Sequence, residues 1–489
     1  MSLPSPVPSR AVALLAAALL QLSVVGCHRS ARVAPAVSPA SAAADGACAA
    51  PAAATAAATA TSLAGTPIAN PLVTFDSAWS IIARTHWDTT YNGVNWTALR
   101  DTLRPRAAAA TTTGELRGVL SEMVGRLKQS HFSIIPREIS DGDGGGASGS
   151  KASVGESGTI GAEFRLVDGA TTVSAVMPNG AAARAGVRTG WILESVHGCA
   201  LAPRIARGAR DMEPRRAALV AYTVASQLLA GEVGQPVVAT FRDESGRARA
   251  VTMVRQAETG TMAKFGNLPP LLSTLTHERV TQGGKTIGII RFNIWMPVLS
   301  PQFDAAMDSL RDTDAIILDV RGNFGGVGGM SMGIAGHFLD SALTIGTMQQ
   351  RGASLKFVAN PRRVDTRSRA VTPFAGPLAL LVDELSISTT EIFAGGLQAL
   401  GRARVFGAQT SGQALPSVPE RLPNGDILYH AIADFLSPTG KPLEGDGVRP
   451  DALTPLTRQA LLAGKDPARE AALAWAVQAA KLPAKRTTP

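Results

Sequence analysis

Four short runs of almost unbroken apolar residues punctuate the C-terminal part of the chain: "TIGIIRF" (286–292), "AIILDV" (315–320), "PLALLVD" (377–383) and "RARVFG" (402–407). Each is too short for an ordinary helix, and the first three lack the polar alternation of a strand with one wet face. Strands of this kind are covered on both faces, the condition of a parallel sheet flanked by helices. Between them lie "PQFDAAMDSL" (301–310) and "TEIFAGGLQAL" (390–400), which carry helical patterning. The alternation predicts an α/β layer with a partly parallel sheet over 270–457.

The rest of the chain divides by composition. Its 489 residues exceed one ordinary domain, and with 45% hydrophobic and 17% charged residues most of it can bury a core. At the start, Arg10 precedes the apolar "AVALLAAALLQLSVV", then "VVGC", which reads as a secretory signal over 1–26. The run is shorter than the roughly 20 residues needed to span a bilayer. Val-Val-Gly-Cys resembles a bacterial lipobox, which implies cleavage before Cys27 and acylation of its thiol. His28 after it points to the outer membrane, facing the periplasm, rather than the inner one. Residues 27–70, dominated by Ala, Thr, Pro and Ser, can form no core and read as a tether. Cys48 and Cys199 are the remaining cysteines, too few for a disulfide scaffold.

Helical spacing returns at 71–139. Phe75, Trp79, Ile82 and His86 fall near one face, and Leu116, Leu120, Met123, Val124 and Leu127 line another, with a helix start at Thr113. "SDGDGGGASGSK" (140–151) is a linker. Residues 153–257 read as a β-rich module with strands "TTVSAVM", "GWILESV" and "PVVATFRD" and one short helix, "AAARAG". Residues 458–489 hold a terminal helix and tail. The net charge is +9, and its densest clusters, 204–216 and 362–369, are not interleaved with aromatics, so nucleic acid is not an indicated partner. No His/Asp/Glu cluster has ligand spacing and no Cys pair exists, so no metal site is indicated.

Three hydroxyl residues, Ser386, Ser388 and Thr389, stand in "ELSISTTEIFAGG" (384–396), where a strand hands over to a helix. Ser388-Thr-Thr-Glu391 fits a capping box. The same layout also suits a displayed nucleophile, because the amides at a helix N-terminus favour developing negative charge. "DVRGNFGGVGG" (319–329) is a strand running into a glycine-rich loop without the lysine or spacing of a phosphate cradle. Taken with "LEGDGVRPD" (443–451), these blocks resemble the tail-specific (carboxyl-terminal processing) proteases and the related tricorn core, a family of serine peptidases. "GTIGAEFRL" and "VSAVMPNGAAARAGVRTGWILESVHG" look like a PDZ domain, a module that binds polypeptide chain ends by adding a strand to an edge. The resemblance spans about 75–455.

It implies Ser388 as the nucleophile, with Ser386 the weaker choice, and an oxyanion hole from the amides of Thr389 and Gly326. The tail-specific proteases take their base from a lysine in Thr-x-Gly-Lys. Here the segment reads "TSGQ" and Gln413, which cannot take a proton near neutral pH, stands in the lysine position. The tricorn branch uses an upstream Ser-His pair instead. "LKQSHFSII" (127–135) resembles that block and supplies Ser130 and His131, whose imidazole can accept and return a proton. Glu444 completes the set by orienting His131 through Ser130, with Asp446 as the alternative. No cofactor is implied, and the expected substrates are polypeptides. His86, His197, His277, His337 and His430 show no comparable partner pattern. A peptide- or ligand-binding protein that has lost activity, and a nonpeptide esterase using the same serine, are the competing readings.

Overall fold

The structure is a computed structural model that describes residues 66–140, 158–210, 212–268 and 270–482. The signal-like segment, Cys27, Cys48 and nearly all of the tether lie outside the described residues.

Three helices open the described chain: α1 (Pro71–Thr85), α2 (Trp96–Ala108) and α3 (Thr113–Gly125). Pro71 enters α1 at its first turn, where a missing N–H costs nothing. The start of α3 is held by Thr112, one residue before the expected Thr113, in a capping box with Glu115. Phe75 and Ile82, Leu103, and Leu116, Leu120 and Met123 bury one face of each helix in a common cluster. The chain then turns through Leu127–His131 into β1 (Ser133–Ile135). This strand pairs antiparallel with Ile427–Ala431, in the register Ser133↔Tyr429. The helical segment is thereby tied to the far end of the sequence.

The middle region carries β2 (Ala162–Val167), β3 (Ala170–Val176), β4 (Ile192–Val196), α4 (Pro214–Leu229), β5 (Pro236–Arg242) and β6 (Ala248–Val254). Its sheet runs β2-β3-β4-β5-β6. The short helix Ala181–Arg184 matches expectation, but Leu201–Gly208 and the long α4 were not foreseen. In α4, β-branched Val220, Thr223 and Val224 weaken the helical signal. Burial of Val220, Val224 and Leu229 against Phe164, Val173 and Phe241 overrides that local preference.

The four apolar runs lie in one six-stranded sheet. Its strands are β7 (Leu275–Gln282), β8 (Lys285–Phe292), β9 (Ala315–Asp319), β10 (Leu378–Val382), β11 (Arg404–Gly407) and β12 (Ala452–Leu453), adjacent in that order. Only β7 runs antiparallel to its neighbour; the other pairs are parallel, with Ile289↔Ile317, Ile317↔Ala379 and Leu380↔Val405 opposed. Successive residues face opposite sides, so both faces must be covered. Ile316, Leu318 and Leu380 pack against α5 (Ser300–Leu310), α6 (Gly329–Ala335) and α7 (Thr389–Ala399) through Phe303, Ile334 and Ile392. Ile317, Ala379 and Leu381 pack on the other side against Ala472, Leu473 and Ala476 of α8 (Pro467–Ala479). β9 and β10 end side by side. From those ends run the glycine-rich loop and the hydroxyl-bearing turn.

Candidate active site

The turn after β10 is anchored by Asp383, which is buried. Its Oδ1 accepts from the amides of Gly322 (2.9 Å) and Leu385 (3.0 Å), and its Oδ2 from Arg165 Nε of β2 (2.7 Å). Ser386 is fully buried, and its hydroxyl donates to the Val320 carbonyl at 2.8 Å. A hydroxyl spent in this way holds the turn closed.

Ser388 is different. Its backbone sits at φ 60°, ψ −119°, a conformation that side-chain-bearing residues rarely adopt and that persists only when its surroundings enforce it. The enforcement is visible on both sides. Ile387 N–H donates to the Asn323 carbonyl (3.0 Å), and Ser388 N–H donates to the Gln413 carbonyl (2.9 Å) and to Glu391 Oε2 (3.1 Å). Thr390 Oγ1 donates to the Asn323 carbonyl at 2.9 Å and receives Trp295 Nε1 at 2.8 Å. Both halves of the expected capping box are present, the Ser388 side chain facing the Glu391 amide and Glu391 Oε2 taking the Ser388 N–H. The Glu391 amide also donates to the Ser388 carbonyl (2.8 Å), so it keeps a backbone partner when the serine hydroxyl is engaged elsewhere.

The glycine-rich loop closes against this turn so tightly that only glycine fits. A Cβ on Gly325 (φ +90°) would stand 2.6 Å from Ser388 Cβ, and one on Gly326 (φ +139°) would stand 2.4 Å from the Trp295 carbonyl oxygen. The Gly325 amide is bound to Asn323 Oδ1 (3.0 Å), and the Gly326 carbonyl accepts Thr389 Oγ1 (2.9 Å). Ser388, Thr389 and Gly326 are therefore neighbours.

His131 belongs to a second cluster. It has a positive φ of 62° and is buried, which holds its pKa down to about 4 because the interior disfavours imidazolium. Ser130 Oγ lies 2.7 Å from His131 Nδ1 and 2.8 Å from Glu444 Oε2, and Ser130 N–H donates to Glu444 Oε1 (3.1 Å). Burial also pushes the Glu444 pKa up, against the stabilising hydrogen bonds from Ser130 and Ala414. Asp446 is exposed, and its backbone carbonyl, taken by Arg215 and Gln409, is the part in use.

The two clusters meet at consecutive residues. Gln413 offers its carbonyl to Ser388 N–H, while Ala414 N–H donates to Glu444 Oε2 at 3.0 Å. The Gln413 side chain turns to Ser411 Oγ. Glu391, fully buried, gathers the same loop through Thr410 Oγ1, Gly412 N–H (2.7 Å) and Gln413 N–H (2.9 Å). With donors but no cation, and out of water, its pKa is pushed up to about 7.

Residues 286–454 match the model of Peptidase family S41, and residues 67–125 match the Tricorn protease C1 domain. Residues 286–454 thus carry a Peptidase family S41 domain, and the chain is a serine peptidase. It is 26% identical over 386 residues to the chloroplastic carboxyl-terminal-processing peptidase 2 of Arabidopsis thaliana, covering 77% of this chain and 67% of the relative. With tricorn protease homolog 1 of Streptomyces coelicolor it shares 26% identity over 440 residues, 86% of this chain and 36% of the relative. In fold it is similar to the photosystem II D1 C-terminal processing protease (TM-score 0.54, 20% identity, 81% of this chain and 95% of the other). Mature CPAF is a second likeness in fold (TM-score 0.56, 13% identity, 84% and 98%).

Within this chain some polar residues were invisible beforehand. Asn323, fully buried, links the glycine loop to the serine turn and donates its own Nδ2 to the Phe292 carbonyl (3.1 Å). Its place directly after Gly322 in "DVRGNFGG" was the available signal. His337 and His430 also depart from expectation, since each has a carboxylate: Asp304 at 2.8 Å and Glu420 at 3.3 Å. His430 faces Thr85 (3.3 Å) in the helical segment. Among the described residues no group of three or more His, Cys, Asp or Glu could hold a metal, and no helix is long and apolar enough to cross a membrane.

Proposed function

We propose that this S41 peptidase is an exported endopeptidase that cleaves polypeptides through an acyl-enzyme on Ser388, with His131 as general base. The observation that carries the reading is the Glu444–Ser130–His131 chain of hydrogen bonds, 2.8 and 2.7 Å long, joined to the Ser388 turn by Gln413–Ala414. Ser130 donates its only hydroxyl proton to the Glu444 carboxylate, so it accepts from His131 Nδ1–H. That tautomer leaves the Nε2 lone pair to receive a proton. Ser388 Oγ attacks the scissile carbonyl carbon as its proton passes to Nε2. The oxyanion is met by the amides of Thr389, at the head of α7, and of Gly326, since the Gly325 amide is already committed to Asn323. His131 then returns the proton to the leaving amine, and water repeats the sequence to free Ser388. In this reading Gln413 serves as a backbone spacer in place of a basic lysine.

The PDZ-like region, 153–257, captures substrate C-termini at its "GTIG" turn, and acylated Cys27 tethers the enzyme to the outer membrane, facing the periplasm. A fluorophosphonate probe tests the core of the reading. The purified wild type becomes labelled, whereas Ser388→Ala and His131→Ala do not. Labelling of Ser388→Ala, or a folded wild type that resists the probe, defeats it. Palmitate incorporation that is abolished in Cys27→Ser tests the anchor.

A further inference from the structure

One helix of the middle region, α4, packs beside the Ser388 turn and reaches the loop that carries Glu444. Ala218, Leu219 and Tyr222 pack on Leu385, Ile387 and Phe324, the side chains flanking Ser388 and Gly325, with the Tyr222 and Phe324 rings 4.8 Å apart. At its first turn two consecutive arginines reach the loop that carries Glu444. Arg215 donates to the carbonyls of Gly445 and Asp446, and Arg216 Nη2 donates to the Gly412 carbonyl at 3.1 Å. The same Arg216 nitrogen lies 3.9 Å from Glu444 Oε1. Arg216 Nε is buried with no hydrogen-bond partner among the described residues. A guanidinium held by one carbonyl, with a buried Nε unsatisfied, is costly unless its charge is used.

Glu444 is where that charge can act. The donors on its carboxylate are all neutral: Ser130 N–H and Oγ–H, and Ala414 N–H. We propose that Arg216 is a positioning residue of the catalytic set, supplied by the middle region, which keeps Glu444 ionised and aimed at Ser130. The proposal rests on the reading of Ser388, His131, Ser130 and Glu444 given above. Arg216 touches no reacting atom and acts through Glu444 alone. The charged and titratable groups around that carboxylate are His131 through Ser130, Arg215 and Arg216 on α4, Asp446 two residues on, and Glu391 across the Gly412 and Gln413 amides. Of these, Arg216 is the cation within 4 Å.

The experiment is steady-state cleavage of a chromogenic peptide by the full chain, read as kcat and KM across pH. Arg216→Met keeps the stem and removes the charge. It lowers kcat roughly tenfold to a hundredfold, by analogy with the loss of a residue that orients a metal-ligating side chain. KM stays within about twofold, and the acid limb of kcat moves to higher pH, because Glu444 without its cation protonates more readily. Arg216→Lys recovers most of the rate. In a Glu444→Gln background the Arg216→Met change adds little, as coupling between the pair requires. If Arg216→Met fails to fold, Arg216→Lys carries the test through a smaller shift of the same limb. An unchanged kcat and acid limb in a folded Arg216→Met, or fully additive losses with Glu444→Gln, overturns the proposal. Ser388→Ala and His131→Ala are run beside it: activity surviving in either one brings down the site reading itself, an outcome separate from any Arg216 result.

Discussion

The two halves of the candidate site are built in opposite ways. The Ser388 half is assembled from segments that leave adjacent parallel strands, β9 and β10, and is bound by many short hydrogen bonds through Asn323, Thr390, Asp383 and Glu391. In the His131 half the polar contacts converge on one carboxylate: Glu444, 314 positions away, receives both the amide and the hydroxyl of Ser130. One half is redundant and the other is a single thread. Redundancy suits a residue held in a strained conformation, since several bonds together offset a backbone cost of about 1–3 kcal/mol. A thread suits a ring that must stay neutral and keep one tautomer.

The largest effect follows from cutting the thread. Glu444→Gln keeps the size of the side chain but removes its charge and can turn an N–H toward Ser130. Ser130 then no longer has to accept from Nδ1, and the Nε2 lone pair is no longer enforced. The expected loss in kcat is on the order of 10⁴, by analogy with removal of the orienting carboxylate in a catalytic triad. Near-normal turnover of a folded Glu444→Gln enzyme against a chromogenic peptide breaks the comparison, because the His131 half then has other support.

On the redundant side, a single deletion is absorbed. Thr390→Val removes a buried hydroxyl that donates to Asn323 and accepts from Trp295. Leaving the Trp295 Nε1–H unpaired in the core costs about 1–3 kcal/mol of stability. The bonds of Ser388 to Gln413 and Glu391 remain, so kcat stays within about tenfold of wild type. Urea melts and kcat measured on the same sample separate the two quantities. A collapse of kcat with little loss of stability would show that the Ser388 half is a thread as well.

The same contrast governs what the sequence disclosed. The four strands and α7 were legible because the interior on both faces of a parallel sheet leaves a continuous apolar signature. Ser388 and Gly326 lay in contiguous motifs at the ends of those strands, so position alone brought them near. His131 and Glu444 were reached only through resemblance, because nothing in "QSHF" or "LEGDG" states that they meet. The choice of Glu444 over Asp446 needed the register of the 443–447 turn, which puts one carboxylate on Ser130 and leaves the other exposed. α4 stayed hidden because its β-branched residues weaken the local helical signal. Its role under the site follows from where Leu385 and Phe324 emerge, which only tertiary packing defines.

The smallest expected effect tests the electrostatics of the thread alone. Burial lowers the His131 pKa from 6.5 to about 4, so between those values the unfolded chain binds a proton that the folded one refuses. Stability from this residue is therefore complete above about pH 6.5 and is lost as pH falls toward 4. Glu391 has the opposite sign. Its folded pKa of about 7 exceeds the ordinary 4.5, so its contribution is complete at low pH and fades as pH rises through that window. In the wild type the two trends oppose each other over nearly the same range. His131→Ala removes one of them, and its Tm should gain on that of the wild type progressively as pH falls from 7 to 4.5. Activity gives the companion reading: kcat/KM in the wild type should hold through pH 6, below the midpoint of an unperturbed imidazole. Thermal scans of both proteins at matched ionic strength check the first. A Tm difference that stays constant with pH would mean that the His131 ring is hydrated in the folded enzyme, and that the region around Ser130 is as open to water as the Ser388 turn is closed.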